Sequence, residues 1–285
     1  MRLSLCTITF RHHLLSIRDI ADFARRAGFD GIELWGVHAR NQGPGEHRAW
    51  LAAQGLAVPM ISDYLPLDAD AEAFARRVEE MGEMARAWGA PRIRTFAGRK
   101  GSADTGERER AFLTGRLREA AARLGDRGLR LLVETHPGTL ADTTASLVRL
   151  LDEAPEPALR VNFDLLHVWE GGDDPLLARR RLAGRIDYHH LKNVRARRDL
   201  AVFRPANVYA AAGRREGMVP LFEGVLDYDR LLRALPAGAE GSLEWFGDRC
   251  HEVLAADLAA VRRCRAGRLE EAPDEAPRLG RRRAG

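Results

Sequence analysis

Four apolar runs in the second half of the sequence end on groups that bind metals or move protons. LLVETHP ends on Glu134 and His136, and VNFDLLH on Asp164 and His167. DYHHLKN ends on His189, His190 and Lys192, and SLEWF carries Glu244. One acid after one apolar run is ordinarily a helix cap or a solvated residue. Four successive runs with the same ending point to convergence. Converging carboxylates repel, and each is driven towards its neutral form unless a cation lies between them. Glu134, Asp164, His190 and Glu244 together offer three carboxylates and one imidazole. That set suits a divalent ion of the Mn, Mg, Co or Zn type, and its oxygen content favours a hard ion such as Mn or Mg.

Cationic and proton-moving groups flank the set. Arg94 ends RIRTF. Lys192 lies two residues beyond His190, so strand alternation turns both to one face. The chain holds 43 Arg and only two Lys, which makes Lys192 conspicuous. A compact ammonium reaches an oxygen, or carries a proton, where a guanidinium fork would not fit. Lys100, in AGRKGSAD, is either a rim contact or solvated. His136 shares a face with Glu134, and His167 acts from the turn after Asp164; both are candidates for proton transfer. His189 alternates away from His190 and is expected outside the lumen. His12 and His13 follow the first run with little signal. Glu33, inside GIELW, is expected to pair with an Arg. Trp35, Trp169, Trp245 and Phe246 are candidate pocket walls.

Something must bring these groups together. Strands are predicted at Leu3–Ile8, Gly31–Trp35, Ala57–Ser62, Arg92–Phe96, Leu129–Glu134, Leu159–Phe163, Ile186–Leu191 and Ser242–Trp245. Helices are predicted at Ile17–Ala27, Glu46–Gln54, Ala69–Trp88, Arg108–Asp126 and Thr143–Leu151, from about Pro175, and at Glu252–Cys264. Eight alternating units over residues 1–266 form the pattern of a single α/β domain, a (β/α)8 TIM barrel, in which reacting groups lie at the C-terminal ends of the strands. No GxGxxG follows the first strand, which argues against a doubly wound dinucleotide-binding sheet. The connection over 193–227 is far longer than an ordinary βα loop and is expected to be functional. Residues 267–285 lack apolar periodicity and read as a disordered tail.

Composition narrows the classes further. The 285 residues include 45 basic and 41 acidic ones, for a net charge of +4, and the two signs are interspersed. Nucleic acid is therefore not an expected partner. Cys6, Cys250 and Cys264 form no CxxC pair, which argues against a disulfide framework or a thiolate zinc site. No apolar run reaches the ~18 residues of a membrane span. The N-terminus lacks a signal-peptide cleavage pattern, so a cytoplasmic protein is expected. A homo-oligomer is left open.

The strings SLCTITFRH, FDGIELWG, MISDYL, IRTFAGRKGSAD, ETHPGTLADT, NFDLLHVWE, NVYAAAGRREGMVPLFEG and SLEWFG occur in order across residues 1–265. Together they resemble the bacterial 3-dehydroshikimate dehydratases of petrobactin-type siderophore biosynthesis. Those enzymes lie within the xylose isomerase-like TIM barrels, the sugar phosphate isomerase/epimerase superfamily. The segment 37–48 is shorter than the family pattern. The resemblance implies that Glu134, Asp164, His190 and Glu244 ligate the metal, with Mn2+ as the ion. It places His136, His167, Arg94, Lys192, Tyr64 and Tyr209 in the pocket. It implies a small anionic substrate, 3-dehydroshikimate, dehydrated to protocatechuate through a metal-stabilised enediolate. The base is left open among His136, His167 and Lys192, with His136 offered as the acid for the departing hydroxyl. Arg94 or Lys192 is expected to hold the carboxylate or the enolate oxygen. A ketose isomerase or epimerase with the same metal set is the main alternative. An abasic-site endonuclease would need more histidine ligands, and a binding barrel without turnover is the non-enzymatic reading.

Overall fold

The structure is a computed structural model and describes residues 1–43 and 45–270. Eight parallel strands close into a barrel: β1 (Arg2–Cys6), β2 (Gly31–Trp35), β3 (Ile61–Ser62), β4 (Arg92–Thr95), β5 (Arg130–Glu134), β6 (Leu159–Asp164), β7 (Ile186–Leu191) and β10 (Glu240–Leu243). Between β7 and β10 the chain forms a two-stranded antiparallel ribbon, β8 (Asn193–Val194) with β9 (Met218–Val219). Around the barrel run α1 (Ile17–Ala27), α2 (Gly36–Gln42), α3 (His47–Ala53), α4 (Ala71–Trp88), α5 (Glu107–Gly125), α6 (Thr144–Glu153), α7 (Leu165–Glu170), α8 (Pro175–Arg181), α9 (Pro205–Val208), α10 (Tyr228–Ala234) and α11 (Cys250–Glu270). No described helix is long and apolar enough to cross a membrane.

Local chemistry sets most boundaries. Ser16 and Asp19 cap α1 reciprocally: the Ser16 hydroxyl accepts from Asp19 N, and the Asp19 carboxylate accepts from Ser16 N. Gly28 (φ 90°) and Gly89 (φ 74°) end α1 and α4 in the left-handed region, which a side chain would disfavour. Asp70, Thr143, Asp174 and Asp227 cap α4, α6, α8 and α10 through their side-chain oxygens. The apolar faces of these helices cover the strands. Inside the lumen, Met60, Leu132 and Tyr188 form a small buried cluster beneath the polar strand ends.

The structure departs from the expected boundaries where side chains intervene. β1 stops at Cys6 and passes into a 3-10 turn over Thr7–Phe10. There the hydroxyls of Thr7 and Thr9 accept from Trp35 N and Trp245 N, replacing ladder bonds. The third run keeps only Ile61–Ser62 in the sheet, plus one bridge between Gly31 and Ala57. Pro59 lies between them and has no N–H to donate. α2, α7, α9 and α10 are additional to the predicted helices; each is one to two turns long, too short for a periodic signal. α11 continues to Glu270, so residues 267–270 are helical rather than part of a disordered tail. The remainder of that predicted tail lies outside the described residues.

Candidate metal centre

Glu134 and Asp164 are the last residues of β5 and β6, His190 is the penultimate residue of β7, and Glu244 follows β10. Parallel register sets Asp164 beside His190 and His190 beside Ser242. All four side chains are buried. His190 Nδ1 lies 3.1 Å from Glu134 Oε1, 3.5 Å from Glu244 Oε1 and 4.0 Å from Asp164 Oδ2. One donor atom from each of Glu134, Asp164 and His190 lies within 4.8 Å of the others, a spacing that one ion can bridge. No other group of three among the described residues meets it. Glu244 turns Oε2 to Lys192 Nζ at 2.6 Å.

The charge balance fits a divalent ion. Glu33 reaches in from β2 as a fourth buried carboxylate. Arg94 and Lys192 are the two fixed cations facing these four acids. Arg94 Nε lies 2.9 Å from Glu134 Oε2, and Lys192 Nζ lies 2.6 Å from both Asp164 Oδ2 and Glu244 Oε2. With His190 neutral, as a metal ligand must be, two negative charges are left over, which a 2+ ion closes. Glu33 does not pair with an Arg as expected. It accepts from His190 Nε2 at 3.0 Å and from Ser62 Oγ. The nearby guanidinium groups are committed: Arg94 to Glu134, and Arg92, lower in the lumen, to Asp187 and Glu240.

These contacts set the protonation states. Burial alone would raise the Glu134 carboxyl, but Arg94, then His190, hold it well below the usual range. Burial opposes ionisation of Glu244 too, yet Lys192 and then His190 bring it down to about 2. Burial would lower His190, and Glu33, Glu244 and Glu134 outweigh that and push it well above an ordinary imidazole. Lys192 is desolvated but raised by Asp164 and Glu244, so it is an ammonium and not a free base.

Asp164 divides its two oxygens between structure and site. Oδ1 accepts from Leu166 N and His167 N, both at 3.0 Å, and so caps α7. Oδ2 faces Lys192 and the metal-binding group. The same cap places His167 on the first turn of α7, beside the pocket. His167 Nδ1 is 2.7 Å from Glu170 Oε2. His136 Nδ1 is 2.7 Å from Pro137 O, and the two imidazole centres are 4.6 Å apart. A carbonyl only accepts, so His136 donates from Nδ1 and keeps a lone pair on Nε2. Burial, then His167, lowers His136 to about 3, so its ring is neutral near pH 7.

The remaining candidates divide into site and surroundings. The Arg94 guanidinium lies over the rings of Tyr64 and Phe96, and its buried Nη1 has no hydrogen-bond partner. Tyr64 Oη meets Tyr209 Oη at 2.8 Å, and Tyr209 stacks on Trp35. Phe246 and Phe203 line the same pocket. Trp245 is held by a bond from Nε1 to Asp248 O, and Trp169 lies beneath Arg197. Lys100 pairs with Glu109 on the surface. His189 packs outside the lumen, with Nδ1 bonded to Glu240 O. His12 touches Val208 O, and His13 faces Cys250. A cavity of about 370 Å³ at the opposite end of the barrel is lined by Arg2, Arg92 and Arg130, each paired with Glu240 or Asp187.

The long connection forms the roof. Its stem is the β8–β9 ribbon, and Asn193 Nδ2 donates to Leu221 O and Leu226 O to close the base. Its crown holds a 3-10 turn (Arg197–Phe203) and α9, which bring Phe203, Val208 and Tyr209 over the site. Arg11, at the top of β1, donates to Val208 O and ties the crown to the barrel.

A family model described as a xylose isomerase-like TIM barrel matches residues 21–264. A 3-dehydroshikimate dehydratase of Bacillus anthracis is 43% identical over 270 residues, covering 92% of this chain and 96% of that protein. A solved structure of a probable 3-DHS dehydratase involved in petrobactin synthesis, from Bacillus anthracis, superposes with a TM-score of 0.89 at 42% identity, covering 92% of this chain and 99% of that one. An L-ribulose 3-epimerase superposes with a TM-score of 0.74 at 19% identity, covering 96% and 99%, a likeness of fold alone. The chain therefore belongs to the xylose isomerase-like TIM barrel family and is a relative of the bacterial 3-dehydroshikimate dehydratase.

Proposed function

We propose that this protein is a metal-dependent 3-dehydroshikimate dehydratase, releasing water from its substrate to leave 3,4-dihydroxybenzoate. The observation that carries this reading is the buried Glu134, Asp164, His190 and Glu244 group with His136 and His167 beside it, in a chain 43% identical to such an enzyme. We assign the four residues as ligands of one divalent ion, Mn2+ in the first instance. When bound, that ion would act as a Lewis acid on the substrate's ketone and adjacent hydroxyl, acidifying the C–H between them.

The chain's own groups do the rest. Arg94, with Nη1 unpaired in a buried setting, holds the substrate carboxylate or an anionic oxygen. His136 has a lone pair on Nε2, which supports assigning it as the group that takes the C–H proton. His167, held at Nδ1 by Glu170, delivers a proton to the hydroxyl departing from the next ring carbon, and loss of one further ring proton with protonation of the ketone oxygen completes the aromatic ring. Lys192 stays an ammonium and offsets negative charge that builds up on the ring oxygens. Phe96, Phe203 and Phe246 wall the pocket and exclude water. A cytoplasmic location agrees with three free, buried cysteines.

Purified protein with Mn2+ and 3-dehydroshikimate should show the rising near-ultraviolet absorbance of a catechol acid. EDTA should abolish the rise, and added Mn2+ restore it. Turnover of a ketose with no aromatic product would replace this reading with the isomerase alternative.

A further inference from the structure

Glu33 lies at the centre of β2, fully buried, with both carboxylate oxygens 3.0 Å from His190 Nε2. Ser62 Oγ donates to one of those oxygens. β1 and β10 separate β2 from β7 around the barrel, so the contact crosses the lumen. Burying a carboxylate is costly, so its retention here needs a reason beyond filling space.

We infer that Glu33 is a positioning residue that sets the tautomer and orientation of His190 for metal binding. A neutral imidazole has one N–H and one lone pair, and an ionised carboxylate only accepts. Nδ1 faces the Glu134 carboxylate and Nε2 faces Glu33, so the metal-free ring carries a hydrogen on each; an ion on Nδ1 displaces that hydrogen, and Glu33 keeps the other on Nε2. Nδ1 is the atom facing Glu134, Glu244 and Asp164, at 3.1, 3.5 and 4.0 Å. The carboxylate also strengthens the ring as a donor, and Ser62 holds the carboxylate in turn. Ser62, Glu33 and His190 thus form a relay of orientation across the barrel. The inference rests on the metal site proposed above and is independent of which substrate is turned over there.

The test measures metal binding itself. Apoprotein of the wild type, Glu33→Gln and Glu33→Ala is titrated with Mn2+, with free ion read by electron paramagnetic resonance. Unfolding midpoints of the apoproteins are recorded in parallel. Loss of the alanine variant's affinity by about 10- to 100-fold is expected. The isosteric glutamine variant should lose less, since its amide oxygen can still accept from Nε2. In Mg2+-loaded, 15N-histidine-labelled protein, the downfield His190 Nε2–H resonance should move upfield in Glu33→Gln. Affinities within twofold of wild type in the folded variants would overturn the inference and leave Glu33 as a structural ion-pair partner. If the alanine variant does not fold, the glutamine variant decides. Lowered Mn2+ affinity in a protein that fails to dehydrate 3-dehydroshikimate would sustain the role of Glu33 and remove the proposed activity. Wild-type protein that binds no divalent ion would overturn both.

Discussion

Lys192 Nζ lies 2.6 Å from Asp164 Oδ2, so an ammonium sits on the edge of the carboxylate group that is arranged to hold an ion. Ammonium and metal compete for the same negative charge. At ~4 Å and an effective dielectric constant of ~20, two unit charges interact by about 4 kcal/mol, and rearrangement spends part of that. Lys192→Met is therefore expected to bind Mn2+ about tenfold more tightly by calorimetric titration. Its kcat should fall about 100-fold, because charge stabilisation over the reacting ring is lost. Lys192→Arg should not restore the rate, since the guanidinium fork does not fit where one compact ammonium bridges two carboxylates. Weaker Mn2+ binding in Lys192→Met would refute the competition.

The hydroxyls of Tyr64 and Tyr209 join the barrel to its roof. A neutral hydrogen bond contributes about 1 kcal/mol, or roughly fivefold in an equilibrium. Tyr64→Phe and Tyr209→Phe should each raise KM by about that factor. The double variant should be no worse than either single one, because the same bond is lost in all three. Steady-state kinetics on the full cycle checks this. Additive losses would mean that each hydroxyl meets the substrate separately.

Different hydrogen-bond partners separate the two imidazoles. His136→Gln and His167→Gln should each lower kcat by about 10²- to 10⁴-fold, the usual range for a lost proton-transfer group. Glu170→Gln, which changes only the group holding His167, should cost about tenfold. On a His167→Gln background it should cost nothing further. A Glu170→Gln loss that persists there would show that Glu170 acts on the substrate or on the fold.

Asp257, on α11, accepts from Leu221 N at 2.9 Å below the roof stem. Burial, partly offset by that bond and reinforced by Glu223, lifts its carboxyl from 3.8 to about 6. Between those two values the folded chain keeps a proton that the unfolded chain has lost. Stability therefore falls as pH rises through this window, and the loss is complete above about pH 6. The gap corresponds to about 3 kcal/mol as an upper scale. Asp257→Asn should match the wild type near pH 4, exceed it increasingly up to about pH 6, and keep that margin at pH 7. Urea unfolding at pH 4, 5.5 and 7 measures this, and a difference that does not change with pH would contradict it.

Much of the barrel is legible along the chain. Gly28 and Gly89 mark the ends of α1 and α4, and the two-residue spacing of His190, in β7, and Lys192, just past it, gives one inward face. These signals act within a few residues. Shorter elements leave too few residues for a period, as in α2 and α7. β3 is cut short by a proline whose effect depends on which neighbour lacks a donor.

The site divides along the same line. The types and order of Glu134, Asp164, His190 and Glu244 at successive strand ends are sequence properties, because parallel strands in a closed barrel must bring their ends together. The partner of each group is not. Glu33 and His190 meet across 157 residues of chain, and Lys192 and Glu244 across 52. Lys192 was legible as an ammonium near the metal group. That it is clamped between two carboxylates, and so kept from acting as a base, follows only from closure of the barrel. Tertiary structure decides such matters because pairing and protonation depend on distance and burial, and neither is a local property of the chain.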